Sequence, residues 1–422
     1  MIEIKPINSL DSEVTVPGSK YIANRVLLLA ALANGISKIK NIPNNDDINA
    51  TMEALRKFGI KIDKKNNDFE INGTNGKITA PNEEINVRNS GTLMRLITGF
   101  ASLAEGKTTI TGSERIKQRP IKDLLKSLNE LGIKCNSKNN GFPPAEVNGG
   151  TLNGGTTKIK GNVSSQFISS LLLIAPYAKN DVEIVVDDDL VSKNYVDMTI
   201  GLMKEFGVSV KRDNYKKFMV RAGQKYNAKN YSIPADPSSA NYFLAAAAVV
   251  PGKIKANGLD LSQKGEAQFA SILKKMGCKI NRSKNGIEAI GNKKLNAVEV
   301  DMSTMPDSVQ TLAVVAVFAQ GTTRIRNIGN LKYKESDRIE DTATELKKLG
   351  IKAIAGDDEL IVEGGNPKPA VIDPHNDHRM AMSFALIGLK TRIKIKNPEC
   401  VNKSFPQFWD KLKQIGVEIK NA

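Results

Sequence analysis

The sequence predicts an α/β (α+β) protein of two domains, each made of three repeated βαββαβ-type units with a buried central helix. Two observations carry this. First, six segments share the pattern apolar-x-x-apolar-Gly-apolar-x-apolar: LRKFGIKI at 55–62, LNELGIKC at 128–135, LMKEFGVSV at 202–210, LKKMGCKI at 273–280, LKKLGIKA at 346–353 and LKQIGVEI at 412–419. Their glycines are spaced by 73, 75, 70, 73 and 66 residues. Each segment reads as the end of an amphipathic helix, a glycine in the left-handed C′ position and the start of a strand. Second, almost wholly apolar helices begin near Asn24, Leu93, Gln166, Ala240, Ser308 and Arg379, one per unit. A helix that is apolar all round must be buried on every side.

Taken in order, each unit is strand, buried helix, strand, polar loop, exposed helix, strand. The buried helices lead into the short alternating strands ISKIKNI, KTTITG, DVEIVV, GKIKANG, TTRIRNI and TRIKIKN. A period near 70 is too long for a solenoid, so each unit is one module that hides its apolar helix against its neighbours. Three units packing their buried helices together give a pseudo-threefold domain. Asp236-Pro237, after the third unit, is the natural boundary. Cys135 and Cys278 stand at strand positions held elsewhere by Ile or Val, which makes both core residues.

The fifth unit shows the plan at its clearest. Pro306 and Asp307 stop the chain, and Asp307 offers an N-cap oxygen to a buried helix over 309–319. Gly321 ends that helix and 322–328 alternates like a strand. A dense charged run, NLKYKESDR at 330–338, surrounds one carboxylate, Glu335, which lies between Lys334 and Arg338 at the start of the second helix.

The chain has 422 residues and 40% apolar content, ordinary for a globular protein of two or three domains. Its longest apolar runs are far shorter than the ~20 residues a membrane span needs. The N-terminus MIEIKPINSL has neither an apolar signal core nor Arg-rich transit character, which predicts a cytoplasmic protein. Three cysteines form no C-x-x-C pair and no metal spacing, which fits a reducing compartment. A net charge of +16 suits anionic partners, phosphorylated small molecules or nucleic acid. Against nucleic acid, aromatics are only 5% and no basic run is interleaved with them.

The polar residues fall at equivalent points of the repeat. GSKYIANR at 18–25, RNSGT at 88–92, NVSSQ at 162–166, ADPSSA at 235–240, MPDS at 305–308 and PHNDHR at 374–379 each precede a buried helix. Helix starts carry free N–H groups and the positive dipole end, and they bind phosphate and carboxylate. Lys20, Arg25 and Arg379 come from these starts; Arg119, Lys334, Arg338 and Lys403 come from the second polar loops. Fixed cations overcome the mutual repulsion of two anionic substrates. The cleft between the two domains is the expected ligand site. Two carboxylates in different surroundings, Asp307 and Glu335, suit one base and one acid. His375 and His378, with one Asp between them, supply too few ligands for a metal, and His378 is expected to pack or hydrogen-bond beside Arg379.

These motifs resemble the 5-enolpyruvylshikimate-3-phosphate synthases along the whole chain. The matching runs are PGSK with NR at 17–25, NSGTLMR at 89–95, ERIKQRP at 114–120, SSQF at 164–167, DLVSKNY at 189–195 and DPSSANYFLAAAA at 236–248. The C-terminal third adds PD at 306–307, NLKYKESDR at 330–338, NDHRMAM at 376–382 and NKSFPQF at 402–408. The resemblance implies two inside-out domains, residues 16–235 and residues 1–15 with 236–422, that close on substrate. It implies transfer of the carboxyvinyl group of phosphoenolpyruvate to the 5-hydroxyl of shikimate 3-phosphate, with loss of phosphate. Shikimate 3-phosphate would be held by Lys20, Tyr21, Arg25, Ser164, Ser165, Gln166, Ser192, Tyr195, Asp307, Asn330 and Lys334. Phosphoenolpyruvate would be held by Lys20, Asn89, Gly91, Arg119, Gln166, Arg338, Arg379 and Lys403. Asp307 would take the hydroxyl proton, Glu335 would give and recover the proton at C3, and Lys20 would assist. The resemblance implies no metal or organic cofactor, a monomer, no nucleic-acid or membrane partner, and sensitivity to glyphosate.

Two positions depart from the family pattern. Tyr21 stands where Ser or Thr is usual beside the lysine, and Leu96 replaces the usual Pro after Met-Arg. The UDP-N-acetylglucosamine enolpyruvyl transferases share the expected fold but carry a reactive Cys or Asp before their Arg-Pro; the loop here, GSERIKQRP, has no Cys. The RNA-phosphate cyclases share the module but lack a six-unit length.

Overall fold

A computed structural model describes residues 1–66, 68–260 and 265–422. Residues 261–264, LSQK, lie outside the described residues. The chain folds as two compact units, Ser19–Ile233 and Met1–Gly18 with Pro234–Ala422.

Among the described residues, the first unit holds six α-helices: α1 (Lys20–Leu32), α2 (Asp46–Lys57), α3 (Gly91–Ala101), α4 (Lys122–Glu130), α5 (Ser165–Ile174) and α6 (Lys193–Glu205). Every residue of α1 and of α3 is buried, polar ones included. Leu27, Leu28, Leu29 and Leu32 are at most 1% exposed, and each contributes about 1.5–3 kcal/mol by leaving water. By contrast, α2, α4 and α6 bury one face only. The sheet of the third module shows the wiring. Strands Gly155–Lys160 and Val182–Asp187 run parallel, with α5 as their crossover. Lys217–Val220 pairs antiparallel with Val182–Asp187 and with Val210–Asp213, and α6 makes the remaining connection. The first module uses the same order, but its opening strand, Asn230–Ser232, comes from the far end of the unit and pairs parallel with Ile36–Lys40.

The second unit repeats the plan with α7 (Pro237–Val249), α8 (Phe269–Lys275), α9 (Val309–Ala316), α10 (Arg338–Lys348), α11 (His378–Ala385) and α12 (Phe408–Gln414). All residues of α7, α9 and α11 are buried. Here the N-terminus completes two sheets. Leu10–Thr15 pairs parallel with Gly252–Asn257. Ile2–Ile4 inserts antiparallel between Ile393–Ile395 and Ile419–Asn421. Among the described residues, no helix is long and apolar enough to cross a membrane.

The six repeat glycines, 59, 132, 207, 277, 350 and 416, all have positive φ, between +77° and +111°. The C′ conformation read from the pattern is present in every copy. A second glycine set escaped that pattern. At Gly73, Gly149, Gly291 and Gly364 an added Cβ would stand 1.7–2.2 Å from a carbonyl oxygen of Ala33, Ala101, Ala247 or Ala319, each within three residues of the end of a buried helix. These positions let each hairpin strand cross the end of the helix it covers. Cys135 and Cys278 are 9% and 3% exposed, and burial pushes their thiols up to about 12 and about 11.

Candidate active site

The first unit gathers its predicted residues at the starts of its buried helices. Ser19 precedes α1, and Lys20 and Tyr21 are its first residues. Lys20 Nζ is 2.8 Å from Asp47 Oδ2, in the first turn of α2, and both side chains are under 10% exposed. The pair is fixed from both helices. Asn45 caps α2 by accepting the Ile48 N–H, and Thr51 Oγ1 donates to Asn24 Oδ1 at 2.5 Å. Sequence reading singled out Lys20 and passed over Asp47, although it lies in the polar stretch that follows the strand ISKIKNI.

Arg25 lies one turn further along α1 and is 1% exposed. Its guanidinium donates to Thr199 Oγ1 (2.7 Å), the Tyr21 carbonyl (2.9 Å), Ser169 Oγ (3.3 Å) and the Tyr195 carbonyl (3.4 Å). It thereby stitches α1 to α5 and α6. Burial lowers its proton affinity to about 10, with Tyr195 and Tyr21 opposing the shift. Tyr21, the departure from the family pattern, packs its ring against Tyr195, centres 4.9 Å apart and planes tilted by 59°, and Lys20 Nζ lies 5.5 Å from its ring centre. Ser192 holds a left-handed conformation immediately before α6. Ser164 spends its hydroxyl on the cap of α5, accepting the Gln166 N–H at 3.3 Å, and Ser165 is buried beside it.

A second group in this unit centres on α3. Gln166 Nε2 donates to Thr92 Oγ1 at 3.0 Å, while Arg95 donates to Gln166 Oε1 at 2.8 Å. The Arg119 guanidinium lies over Gly91, so close that a Cβ there would stand 2.3 Å from its Cζ. Asn89 Oδ1 accepts from Ser113 Oγ at 3.3 Å, at the edge of this group. Arg95 was missed by sequence reading because it sits inside an apolar helix.

The second unit holds a denser cluster, built around Arg338. Its guanidinium meets Asp307 Oδ1 (3.0 Å), Glu335 Oε2 (2.8 Å) and Asp377 Oδ2 (2.7 Å), and it is 1% exposed. Burial works against its charge, but Asp377, Glu335 and Asp307 outweigh burial and hold it well above its ordinary range. Arg379 Nε is 3.0 Å from the same Asp307 oxygen, and its NH1 donates to Tyr242 Oη at 3.0 Å. Lys403 Nζ is 3.1 Å from Glu335 Oε1. Three cations and three carboxylates thus interlock, all nearly buried. Asn330 belongs to the 3-10 turn Gly329–Tyr333, and Lys334 ends it, immediately before Glu335.

Several expectations need correction here. Asp307 is no N-cap: Ser308 occupies that position of α9 and makes no side-chain cap, while Asp307 is drawn into ion pairs with Arg338 and Arg379. A buried carboxylate gains more from two guanidiniums than from one peptide N–H. Glu335 precedes α10 instead of opening it, since Asp337 caps that helix. Arg338 and Lys403, the latter distant in sequence, both lie at hydrogen-bond distance from Glu335. His378 is 1% exposed with Nδ1 3.5 Å from Asp377, beside Arg379 as expected. His375 turns away to Glu345, 2.9 Å from Nε2. Sequence reading also missed Asp377, Tyr242 and Glu266. Glu266 Oε1 accepts the Asp307 N–H at 2.9 Å.

Comparison with known proteins bears on this chemistry. A family model described as EPSP synthase (3-phosphoshikimate 1-carboxyvinyltransferase) matches residues 4–412. A 3-phosphoshikimate 1-carboxyvinyltransferase of Marinomonas sp. is 42% identical over 416 residues, covering 97% of this chain and 98% of that protein. One from Colwellia psychrerythraea is 40% identical over 422 residues, covering 98% and 99%. Among solved structures, an EPSP synthase from Acinetobacter baumannii matches with a TM-score of 0.84 at 27% identity, covering 100% of this chain and 99% of that one. An enolpyruvyl transferase from Streptomyces tendae, 18% identical with a TM-score of 0.79 and covering 100% and 98%, shares the fold.

Proposed function

The chain belongs to the EPSP synthase family, and we propose that its two clusters divide the binding and proton transfers of that family's reaction between them. It is a transferase of the shikimate pathway, which leads to the aromatic amino acids. It moves the enolpyruvyl group of phosphoenolpyruvate to the 5-hydroxyl of shikimate 3-phosphate and releases phosphate.

The observation that carries the division of labour is the sharing of one buried cation, Arg338, by Asp307 and Glu335. The reaction needs a base for the hydroxyl and an acid for C3 of the enol. In our reading Asp307 accepts the 5-hydroxyl proton as the oxygen attacks C2 of phosphoenolpyruvate. Glu335 delivers a proton to C3, which gives a tetrahedral phospho-adduct. Elimination reverses the second transfer: Glu335 takes a proton back from C3 and phosphate departs with the proton held by Asp307. Arg338, Arg379 and Lys403, with Lys20, Arg119, Asn89, Gly91 and Gln166 of the other cluster, hold phosphoenolpyruvate. An anion drawn to Arg338 and Lys403 competes with Glu335 for the same two cations.

Shikimate 3-phosphate falls to Lys20, Tyr21, Arg25, Ser164, Ser165, Gln166, Ser192, Tyr195, Asp307, Asn330 and Lys334. For Arg25 the contribution is to shape: its contacts with Thr199, Ser169 and Tyr195 support the arrangement of α1, α5 and α6. Tyr21 contributes its ring against Tyr195. The family resemblance supports a cytoplasmic monomer that needs no metal or organic cofactor and no nucleic acid. Phosphate release from shikimate 3-phosphate and phosphoenolpyruvate together, measured on metal-free protein, tests the whole reading. Folded protein that releases no phosphate would sink it.

A further inference from the structure

Glu266 lies in the 3-10 turn Gly265–Gln268 and is 5% exposed, directly behind Asp307. Its Oε1 accepts the Asp307 N–H at 2.9 Å, and its Oε2 shares a short hydrogen bond with Ser308 Oγ. Asn241 Nδ2 donates both to Ser308 Oγ and to the Glu266 carbonyl, each at 2.9 Å. This hydrogen-bonded frame fixes the Asp307–Ser308 turn. It serves a carboxylic acid as well as a carboxylate, because the Ser308 hydroxyl can accept or donate.

The charges around Glu266 decide which form is present. Asp307 faces it from the turn Pro306–Ser308, and Arg379 faces it from α11. Its other neighbour α7 carries Tyr242 and is capped by Asp236, while α8 carries only Lys274 and Lys275, exposed in its last turn. No cation makes an ion pair with Glu266 among the described residues, whereas Asp307 has two guanidiniums at 3.0 Å. Of two neighbouring carboxyls, the one without such partners keeps the proton. Burial first, and Asp307 second, push its carboxyl up to about 8, with Ser308 and Arg379 opposing.

We propose that Glu266 is a positioning residue for Asp307: as an uncharged acid it holds the Asp307–Ser308 turn, and when it loses its proton the added charge beside Arg379 weakens the grip on an anionic substrate. The proposal rests on the reading that Asp307 and Arg379 serve enolpyruvyl transfer. The charge of Glu266 acts through Arg379 and so falls on the KM for phosphoenolpyruvate, whereas loss of the hydrogen-bonded frame behind Asp307 falls on turnover.

The test compares the full chain with Glu266→Gln and Glu266→Ala. Gln reproduces the neutral acid, with an oxygen toward the Asp307 N–H and a donor toward Ser308. In wild type the KM for phosphoenolpyruvate should rise about tenfold between about pH 7 and about pH 9, as linkage requires for one ionisation in that window. Glu266→Gln should lack that rise, and at about pH 7 it should keep at least about tenfold more turnover than Glu266→Ala, which loses the frame. An unchanged rise in Glu266→Gln, or equal damage by Gln and Ala, would overturn the proposal.

Thermal unfolding gives a readout that needs no turnover. The fold holds a proton on Glu266 that the unfolded chain has released. Stability from this site therefore falls as pH rises from the ordinary carboxylate range to about 8. Gln does not titrate, so the melting-temperature gap in favour of Glu266→Gln should widen from about pH 5 to about pH 8. A gap independent of pH would show Glu266 ionised in the fold and the proposal wrong. If wild type turned over no phosphoenolpyruvate, the functional reading would fall, and the melting gap would still judge the proton on Glu266.

Discussion

The guanidinium of Arg119 rests on the bare Cα of Gly91: a Cβ there would lie 2.3 Å from Cζ and from NH1, and 2.5 Å from NH2. Such overlap is impossible, and Arg119 is the flexible partner. Gly91→Ala should therefore displace Arg119, the backbone of α3 staying in place. The KM for phosphoenolpyruvate should rise about tenfold, equivalent to about 1.4 kcal/mol of lost binding, with a smaller change in kcat. Steady-state kinetics at saturating shikimate 3-phosphate decide the point; an unchanged KM would separate Arg119 from that substrate. The same space should admit glyphosate in wild type, seen as micromolar inhibition at low phosphoenolpyruvate that Gly91→Ala weakens.

Glu335 is gripped by Arg338 at 2.8 Å and by Lys403 at 3.1 Å. Gln at this position keeps the shape and removes the transferable proton. Glu335→Gln should lower kcat by about a hundredfold or more and leave the Kd for shikimate 3-phosphate nearly unchanged. Turnover near that of wild type would remove Glu335 from the proton-transfer role.

Lys20 and Asp47 form an ion pair 2.8 Å long, with side chains 7% and 4% exposed. Removing Asp47 takes its carboxylate from a nearly buried Lys20 ammonium. Asp47→Ala should destabilise the Ser19–Ile233 unit by about 3–5 kcal/mol and lower turnover through a mobile Lys20. Denaturant unfolding measures the first effect; a loss below about 1 kcal/mol would mean that water reaches the pair.

Gly59, with φ of +81°, has nothing within 4 Å of a built Cβ. Gly59→Ala thus isolates the backbone cost of the repeated C′ turn, about 1 kcal/mol, in equilibrium unfolding. No loss at all would show that the turn relaxes out of the left-handed region.

How much of this was legible beforehand varies residue by residue. Gly59 and its five equivalents could be read because a C′ glycine is a local requirement, set by four or five neighbouring residues. Arg338 and Glu335 could be singled out because they lie three residues apart at the edge of a helix. Asp47, Asp377 and Glu266 sit in loops that the repeat already marked, yet nothing nearby distinguishes them from solvated acids. The N-cap role read for Asp307 is what its sequence neighbours favour; Arg338 and Arg379 override it from other helices.

The sequence by itself determined the six-module plan, the buried and exposed helices, the glycine turns and most of the charged residues at the helix starts. These follow from periodicities and caps that span one module. Tertiary structure alone decided the pairings: Lys403 against Glu335, Asp47 against Lys20, Asp377 and Asp307 against Arg338, Glu266 behind Asp307. Burial is the reason. A buried charge must find an opposite charge or a donor within about 3 Å, and which residue answers is fixed by how the modules pack, not by its neighbours in the chain.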